Sequence, residues 1–441
     1  MPTDTAVVVG ASMGGLVATR VLSERFENVV VIERDELPES ADSRKGVPQG
    51  RHVHALLPSG QRVLDEMLPG LTDELLAEGA VTVSTDGGVK WWQQGGYRSP
   101  CEAPPMLFCS RPMLERAVRR RVEKLPNVEF MAATATGLVA ADGRVRGALV
   151  RRGEEESPVD AGLVVDASGR AGQLSRWLEA AGYPTPGVEQ VHVDIQYTTR
   201  LYKRSTDGDG QLSAYFVLDV DRMCGGAAFP IENDQWILTL AGYHGLRADP
   251  DEQSFLAFAE SLPCDDLAAI IRSEEPLSPF FTHRFPCSQR RRFDKLSRHL
   301  PGALAIGDSI CSFNPLYGQG MSSAALQGQA LAQSLDRTGP RSERLPEVFY
   351  KSAAKVIANP WSIAVGGDFT SPQTTGPKPP MVDLINRYIK RLAVAAQQDE
   401  VVAAQFVQVA NLLASPPSLL KPSIAYRVWR GSRPASTGGA G

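Results

Sequence analysis

Two glycine-rich blocks hold the residue types best suited to chemistry in this chain. The first is Gly10-Ala11-Ser12-Met13-Gly14-Gly15. Gly10 allows a tight turn and Gly15 allows close packing of the segment that follows. A helix starting there aims backbone N–H groups and the positive end of its dipole at a pyrophosphate. Ser12 stands where a second glycine is usual, so it adds bulk at the phosphate together with a hydroxyl donor. Glu33 lies at the spacing of an acid that accepts from a ribose hydroxyl, which favours FAD or NAD over NADP, and Arg34 follows it directly. The second block is Gly307-Asp308-Ser309, continued by Asn314-Pro315-Leu316-Tyr317-Gly318-Gln319-Gly320-Met321. Asp308 can accept from a sugar-alcohol hydroxyl, and the glycine loop aims another helix N-terminus at the group beyond it.

These blocks need a frame to hold them. Ala6-Val7-Val8-Val9 is an apolar run that ends at glycines, a buried strand feeding a turn. Leu16 to Phe26 carries helical spacing and Val29 to Ile32 is β-branched, so strand, turn, helix and strand form a βαβ unit. Further helices are predicted over Val63–Ala77 and Pro112–Lys124, with strands over Val128–Phe130 and Leu163–Val165. From about 190 to 290 the texture changes, and alternating runs such as Leu212–Val220 and Gln235–Leu240 predict an antiparallel sheet. Ala303 to Ile306 restores the buried-strand pattern ahead of a helix over Ser322–Leu331. After Glu343 the chain reads as helices broken by Pro372, Pro377, Pro379 and Pro380, the last helix running from Glu400 to Leu413.

Composition sets the outer limits. The chain has 441 residues, a net charge of −4, 43% hydrophobic and 22% charged residues, as expected of a globular protein of two or three domains. The mild acidity argues against nucleic acid or an anionic membrane as the main partner. Arg119-Arg120-Arg121 and Arg290-Arg291-Arg292 are therefore expected on solvated faces. The start Met1-Pro2-Thr3-Asp4 has no basic leader, and no apolar stretch reaches the ~20 residues of a membrane span. Cysteines at 101, 109, 224, 264, 287 and 311 form no Cys-x-x-Cys pair, so reduced thiols in a cytoplasmic protein are expected.

The two blocks together resemble the FAD-dependent monooxygenases of the p-hydroxybenzoate hydroxylase-like superfamily. Within it, the chain is most similar to the actinobacterial branch that includes polyether-biosynthesis epoxidases. The resemblance rests on Arg44-Lys45-Gly46-Val47-Pro48-Gln49 with Arg51-His52-x-His54, on Ser110-Arg111-x-x-Leu114-Glu115, on Asp166-Ala167-Ser168-Gly169-Arg170 and on the 307–321 block. Pro360-Trp361 and Arg387-Tyr388 extend it through the tail, so it covers nearly the full chain. It implies an α/β fold: a Rossmann-like FAD-binding domain of the glutathione reductase type, an inserted antiparallel β-sheet substrate domain and a helical C-terminal region. The expected division is 1–85, 105–185 and 291–335 for the FAD-binding domain, 86–104 for an excursion into the substrate domain, 186–290 for the β-rich domain and 336–441 for the cap.

Carried over residue by residue, the resemblance implies that Gly10, Ser12, Met13, Gly14, Gly15, Glu33 and Arg34 hold the ADP half. Arg44 and Arg111 would contact phosphate or ribityl oxygens, Asp308 the pyrophosphate or ribityl chain, and Gly318, Gly320 and Met321 would lie beside the isoalloxazine. Pro315, Tyr317 and Gly318 are the candidates for the flavin-proximal wall, where a positive helix end would stabilise the charge of reduced flavin. The segment that usually reads Asp-Gly in the aromatic hydroxylases reads Asp166-Ala167-Ser168-Gly169 here. That departure leaves two electron routes, NAD(P)H directly or through a separate flavin reductase.

The activity implied is insertion of one O2-derived oxygen, by epoxidation or hydroxylation through a C4a-hydroperoxyflavin, into a hydrophobic, electron-rich polyketide, isoprenoid or aromatic. The alternatives are a flavin-dependent halogenase, an FAD-dependent dehydrogenase or reductase, and a non-catalytic FAD-binding protein. Lys90 beside Trp91 and Trp92 is similar to the early lysine of halogenases, but their Trp-x-Trp-x-Ile-Pro signature is missing, so Lys90 is expected at the surface or cavity rim. Trp91, Trp92, Phe216 and Phe229 are the aromatic candidates for a substrate pocket. His52 and His54, read as alternating on a strand, have no acid or cysteine clustered near them, so flavin- or substrate-side packing is expected and no metal site.

Overall fold

The computed structural model describes residues 4–205 and 212–431; Met1 to Thr3 of the start read above lie outside them. The βαβ unit forms as β1 (Thr5–Val9), α1 (Met13–Ser23) and β2 (Asn28–Glu33). These strands lie in a five-stranded sheet with 303–305 and 163–166 on one side and 128–132 on the other. All four pairings are parallel. Ala6, Val7, Val8, Val29, Val31 and Leu163 are fully buried, because helices cover both faces of such a sheet and it therefore needs continuous apolar runs. Strands 134–141, 144–152 and 155–160 form a separate antiparallel meander between strand 128–132 and strand 163–166. Sequence patterning gave no sign of that meander.

An eight-stranded sheet holds the β-rich part, in the order 311–312, 281–291, 188–203, 235–243, 224–231, 214–219, 89–93 and 96–97. Its pairings are antiparallel except for 214–219 with 89–93, which run parallel because strand 89–93 enters from the early excursion. Helices Glu252–Glu260 and Asp266–Ser273 pack on one face against Tyr202, Trp236, Leu238 and Leu240. The other face is left for the cavity described below.

Several local expectations need correction. The predicted helix 63–77 is two helices, Pro58–Met67 and Leu71–Ala77, divided at Pro69 and at Gly70, whose φ is +80°. The helix predicted over 322–331 runs from Gly320 to Thr338. Glu400–Ala410 is not the last helix, since Pro422–Gly431 follows it and packs on Val382–Ala395. His52 and His54 lie in a loop after the short 3-10 turn Pro48–Arg51, not on a strand. The arginine triplets are solvated only in part: Arg120 is exposed, whereas Arg119, Arg290 and Arg291 are buried. Arg291 donates to the backbone carbonyls of Ser309 and Arg170, partners that sequence-distant packing supplies.

All six cysteines are unpaired, and among the described residues no helix is long and apolar enough to cross a membrane. Among the same residues no group of three or more His, Cys, Asp or Glu is arranged to hold a metal ion.

Candidate active site

A cavity of about 1700 Å³ runs from the glycine turn after β1 to the inner face of the eight-stranded sheet and the C-terminal helices. At its nucleotide end, Gly10 takes a φ of +104°, and an added Cβ would lie 2.6 Å from the Ala167 carbonyl oxygen. A side chain on Gly15 would strike the Gly10 carbonyl oxygen at 1.8 Å. Gly15 therefore serves packing and is absent from the cavity lining, whereas Gly10, Ser12, Met13 and Gly14 line it. Ser12 occupies the N-cap of α1 without capping it, so the N–H groups of the first turn keep no side-chain acceptor. Its hydroxyl instead donates to Glu115 Oε2 (2.8 Å) and accepts from Arg111 Nη2 (2.8 Å).

Those bonds belong to a buried charge network. Arg44 meets Glu33 (3.1 Å), Asp35 (3.2 Å) and Glu115 (2.9 Å), while Arg111 meets Glu115 (2.7 Å). Burial alone would push the Glu115 carboxyl up, but Arg111 and Arg44 hold it below the usual carboxylate range. Glu33 accepts from the backbone N–H groups of Ala11, Arg34 and Asp35, which fixes its carboxylate at the end of β2. Arg34 is exposed at the cavity edge. Glu115 is the residue that sequence reasoning quoted without assigning. Its i, i+4 spacing to Arg111 on one helix was the available signal.

The two glycine blocks meet here. An added Cβ on Gly14 would lie 3.6 Å from the Gly307 Cα, so the turn after β1 and the 307 loop are in contact. Asp308 lines the cavity, and among the described residues nothing in the protein bonds to its carboxylate; burial raises it above the usual range against the pull of Arg111, Arg170 and Arg291. Beyond it, Gly318 takes a φ of +64°, and the helix Gly320–Thr338 begins at the cavity wall with nothing within 4 Å of a Cβ added to Gly320. Pro315, Tyr317, Gly318, Gly320 and Met321 all line the cavity.

Uncapped N–H groups, the buried Arg111 Nε with no partner, an unbonded Asp308 and open space at Gly320 fit a dinucleotide cofactor. Asp166, by contrast, is turned inward. Its oxygens accept from the Ser168 N–H, the Ser168 hydroxyl and the Leu174 N–H, so it offers nothing to the cavity.

The remainder of the wall is one sheet face, and the registers explain its membership. Tyr197 pairs with His283 and Ala241, Ala227 with Thr239 and Phe216, and Phe216 with Trp91. Side chains alternate along a strand, so these residues share a face. Trp91 stacks on Phe216 at 4.8 Å and meets Phe406 of the helix Glu400–Ala410 edge-on at 5.7 Å. Phe216 packs on Phe229 at 4.7 Å. Trp91, Phe216 and Phe229 line the cavity, but Trp92 and Lys90 belong to the opposite face and do not.

Behind the 314–318 loop sits a second group, of which the sequence showed Asn314 and Tyr317 but not Tyr243 and Asp368. Asn314 Nδ2 donates to Asp368 (2.6 Å) and Tyr243 (2.7 Å), and Tyr317 packs its hydroxyl against Gly367. Asp368 is fully buried with Oδ2 unpartnered, and burial pushes its carboxyl up to about 7 in spite of those donors.

Comparison with known proteins accounts for this arrangement. The chain matches the FAD binding domain family over residues 3–338. It is 32% identical over 436 residues to Protein Rv3254 of Mycobacterium tuberculosis, covering 94% of this chain and 90% of that protein. The flavin-dependent brominase Bmp2 has a similar structure, with a TM-score of 0.69, 16% identity and coverage of 96% of this chain and 98% of that one. So does p-nitrophenol 4-monooxygenase PnpA from Pseudomonas putida DLL-E4, with a TM-score of 0.65, 16% identity and coverage of 93% and 99%. At such identities these two structures speak to the fold.

Proposed function

The chain belongs to the FAD-binding domain family and is an FAD-dependent oxidoreductase; on that premise we propose that it is a monooxygenase acting on a hydrophobic, electron-rich secondary metabolite. The reaction is epoxidation or hydroxylation with one oxygen from O2, and the relatives to expect are those of the actinobacterial, polyether-epoxidase branch. The observation that carries the reading is the single cavity that joins the glycine-loop site to an aromatic sheet face. Bound FAD supplies the electrons and the activation of O2.

The protein's own residues bind, orient and exclude water. The first turn of α1, with Arg44 and Arg111, holds the pyrophosphate; Glu33 takes the adenosine ribose; Asp308 accepts from the ribityl chain. The N-terminus of Gly320–Thr338, at the cavity wall, would offer its positive dipole end to the isoalloxazine. Trp91, Phe216 and Phe229 enclose the substrate with the cap, which keeps the reacting centre dry. The inward turn of Asp166 supports electron delivery by a separate flavin reductase over direct NAD(P)H binding.

Lys90 on the outer face of its strand favours oxygenation over halogenation. Incubation of reduced holoenzyme with ¹⁸O2 and a panel of polyenes and aromatics tests the reaction. Label in the product is expected, and chloride- or bromide-dependent products without label would overturn it. Asp308→Ala tests the cofactor assignment separately: reduced FAD occupancy after purification is expected, and unchanged occupancy would remove Asp308 from the site.

A further inference from the structure

His52 is held by a chain of hydroxyl groups that fixes its protons. Its Nδ1 lies 2.7 Å from the Thr199 hydroxyl, which lies 2.6 Å from the Thr239 hydroxyl, and Thr239 Oγ1 accepts from the Val53 N–H (3.1 Å). Thr199 is fully buried and Thr239 nearly so. Each hydroxyl has one proton to place. If His52 Nδ1 carried the hydrogen, Thr199 would donate to Thr239, and the Thr239 proton would find no acceptor in the protein among the described residues and would have to be spent on the cavity that Thr239 lines. In the reverse direction every proton is used: Thr239 donates to Thr199, and Thr199 donates to Nδ1. Nδ1 is then the acceptor and the ring hydrogen sits on Nε2. Among the described residues Nε2 bonds to nothing in the protein, and His52 lines the cavity.

The ring is also kept neutral. Burial, assisted by His283, His54 and Arg51, pushes the His52 imidazole down to about 3. It lies 5.9 Å from the Tyr197 ring and 5.7 Å from the His283 ring, on the aromatic sheet face. Three residues along, the Ala55 Cβ lies 3.6 Å from a Cβ added to Gly318, so the His52 loop itself touches the flavin-proximal loop. A neutral N–H donor cannot ion-pair with a carboxylate, and it repels a substrate donor.

We infer that His52 positions the substrate, its Nε2–H donating to an uncharged carbonyl, ether or hydroxyl oxygen of an otherwise apolar molecule at the seam between the sheet face and the flavin-proximal loop. This rests on the proposal that the sheet-face half of the cavity holds the substrate. The FAD-loaded protein, labelled with ¹⁵N-histidine, tests it by long-range ¹H–¹⁵N correlation, with His52→Phe identifying the signal. A neutral Nε2–H ring that does not titrate between pH 5 and 8 is expected. An Nδ1–H ring, or one that titrates near the ordinary histidine value, would overturn the inference.

A matched pair of probes reads the donor itself. 1-Tetralone has a carbonyl oxygen, and tetralin is its hydrocarbon counterpart. The wild type is expected to bind the ketone about tenfold more tightly, the size of one buried hydrogen bond. That preference should vanish in His52→Phe and return in part in His52→Gln, whose amide restores a donor. No preference in the wild type, or one that survives in His52→Phe, refutes the donor role while leaving the cavity reading intact. Failure of both probes to bind refutes the cavity reading and the inference with it, and FAD absorbance in each variant shows that the nucleotide end is unaffected.

Discussion

The nucleotide end of the cavity is held by charge, whereas the sheet-face end is held by ring packing and neutral hydrogen bonds. At the first, Arg44, Arg111, Glu33 and Glu115 form a buried ion network around an uncapped helix. At the second, Trp91, Phe216 and Phe229 pack ring against ring and burial disfavours the charged form of the neighbouring histidines. Buried charges are costly to desolvate and are retained where an anion must be received. Glu115 pairs with Arg111 and, together with Glu33 and Asp35, with Arg44, so neither guanidinium is left unpaired before phosphates arrive. A neutral wall suits the opposite task, since an apolar substrate gains from burial and would lose from neighbouring charges.

Removing one partner of the network should give the largest effect. Arg111→Ala leaves Glu115 with Arg44 alone and strips Ser12 of its donor. A loss of about 3–5 kcal/mol in stability is expected, together with loss of most bound FAD. Denaturant unfolding and flavin absorbance measure both, and an unfolding midpoint equal to the wild type would erase the contrast between the two ends.

Asp368 offers a middle case, a lone acid at the boundary. Its carboxyl is raised to about 7 in the fold, so its contribution to stability is fully present below the unfolded value and is lost as pH rises through about 7. Asp368→Asn should therefore match the wild type near pH 4 and exceed it by about 2 kcal/mol at pH 8. A thermal-melt series across that range checks the sign, and parallel pH profiles would show that the acid is not strained by burial.

The smallest effect belongs to the sheet face. Trp91→Ala should weaken tetralin binding about tenfold, because it removes the ring between Phe216 and Phe406, while Trp92→Ala should change it less than twofold. Equal losses in a binding titration would mean that the strand's alternation has been assigned the wrong way round.

The charged end was more legible in the sequence, for a physical reason. Turn and helix-start chemistry is local, so Gly10, Ser12, Gly14, Glu33 and Asp308 stand in short readable strings, and these line the cavity. Sheet-face membership depends on register between segments far apart in the sequence, such as Tyr197 with His283 and Trp91 with Phe216. Aromatic character alone therefore selected Trp92 along with Trp91, and missed Tyr197, His283 and Asp368. Arg291 misled for the same cause, because its partners are the backbone carbonyls of Ser309 and Arg170 in remote turns. The short meander of 134–160 left no trace because its strands are half-exposed and mixed in pattern.

The contact between Gly14 and Gly307 has a consequence for biosynthesis. A ribosome emits the first phosphate-binding turn nearly three hundred residues before the loop that completes it, so the emerging chain cannot retain the cofactor through most of its translation. The early parallel strands must wait with their edges open until strand 303–305 arrives to flank them. Flavin yield in an expression host therefore reports completed synthesis of the full α/β sheet, and chains truncated ahead of residue 303 should emerge colourless.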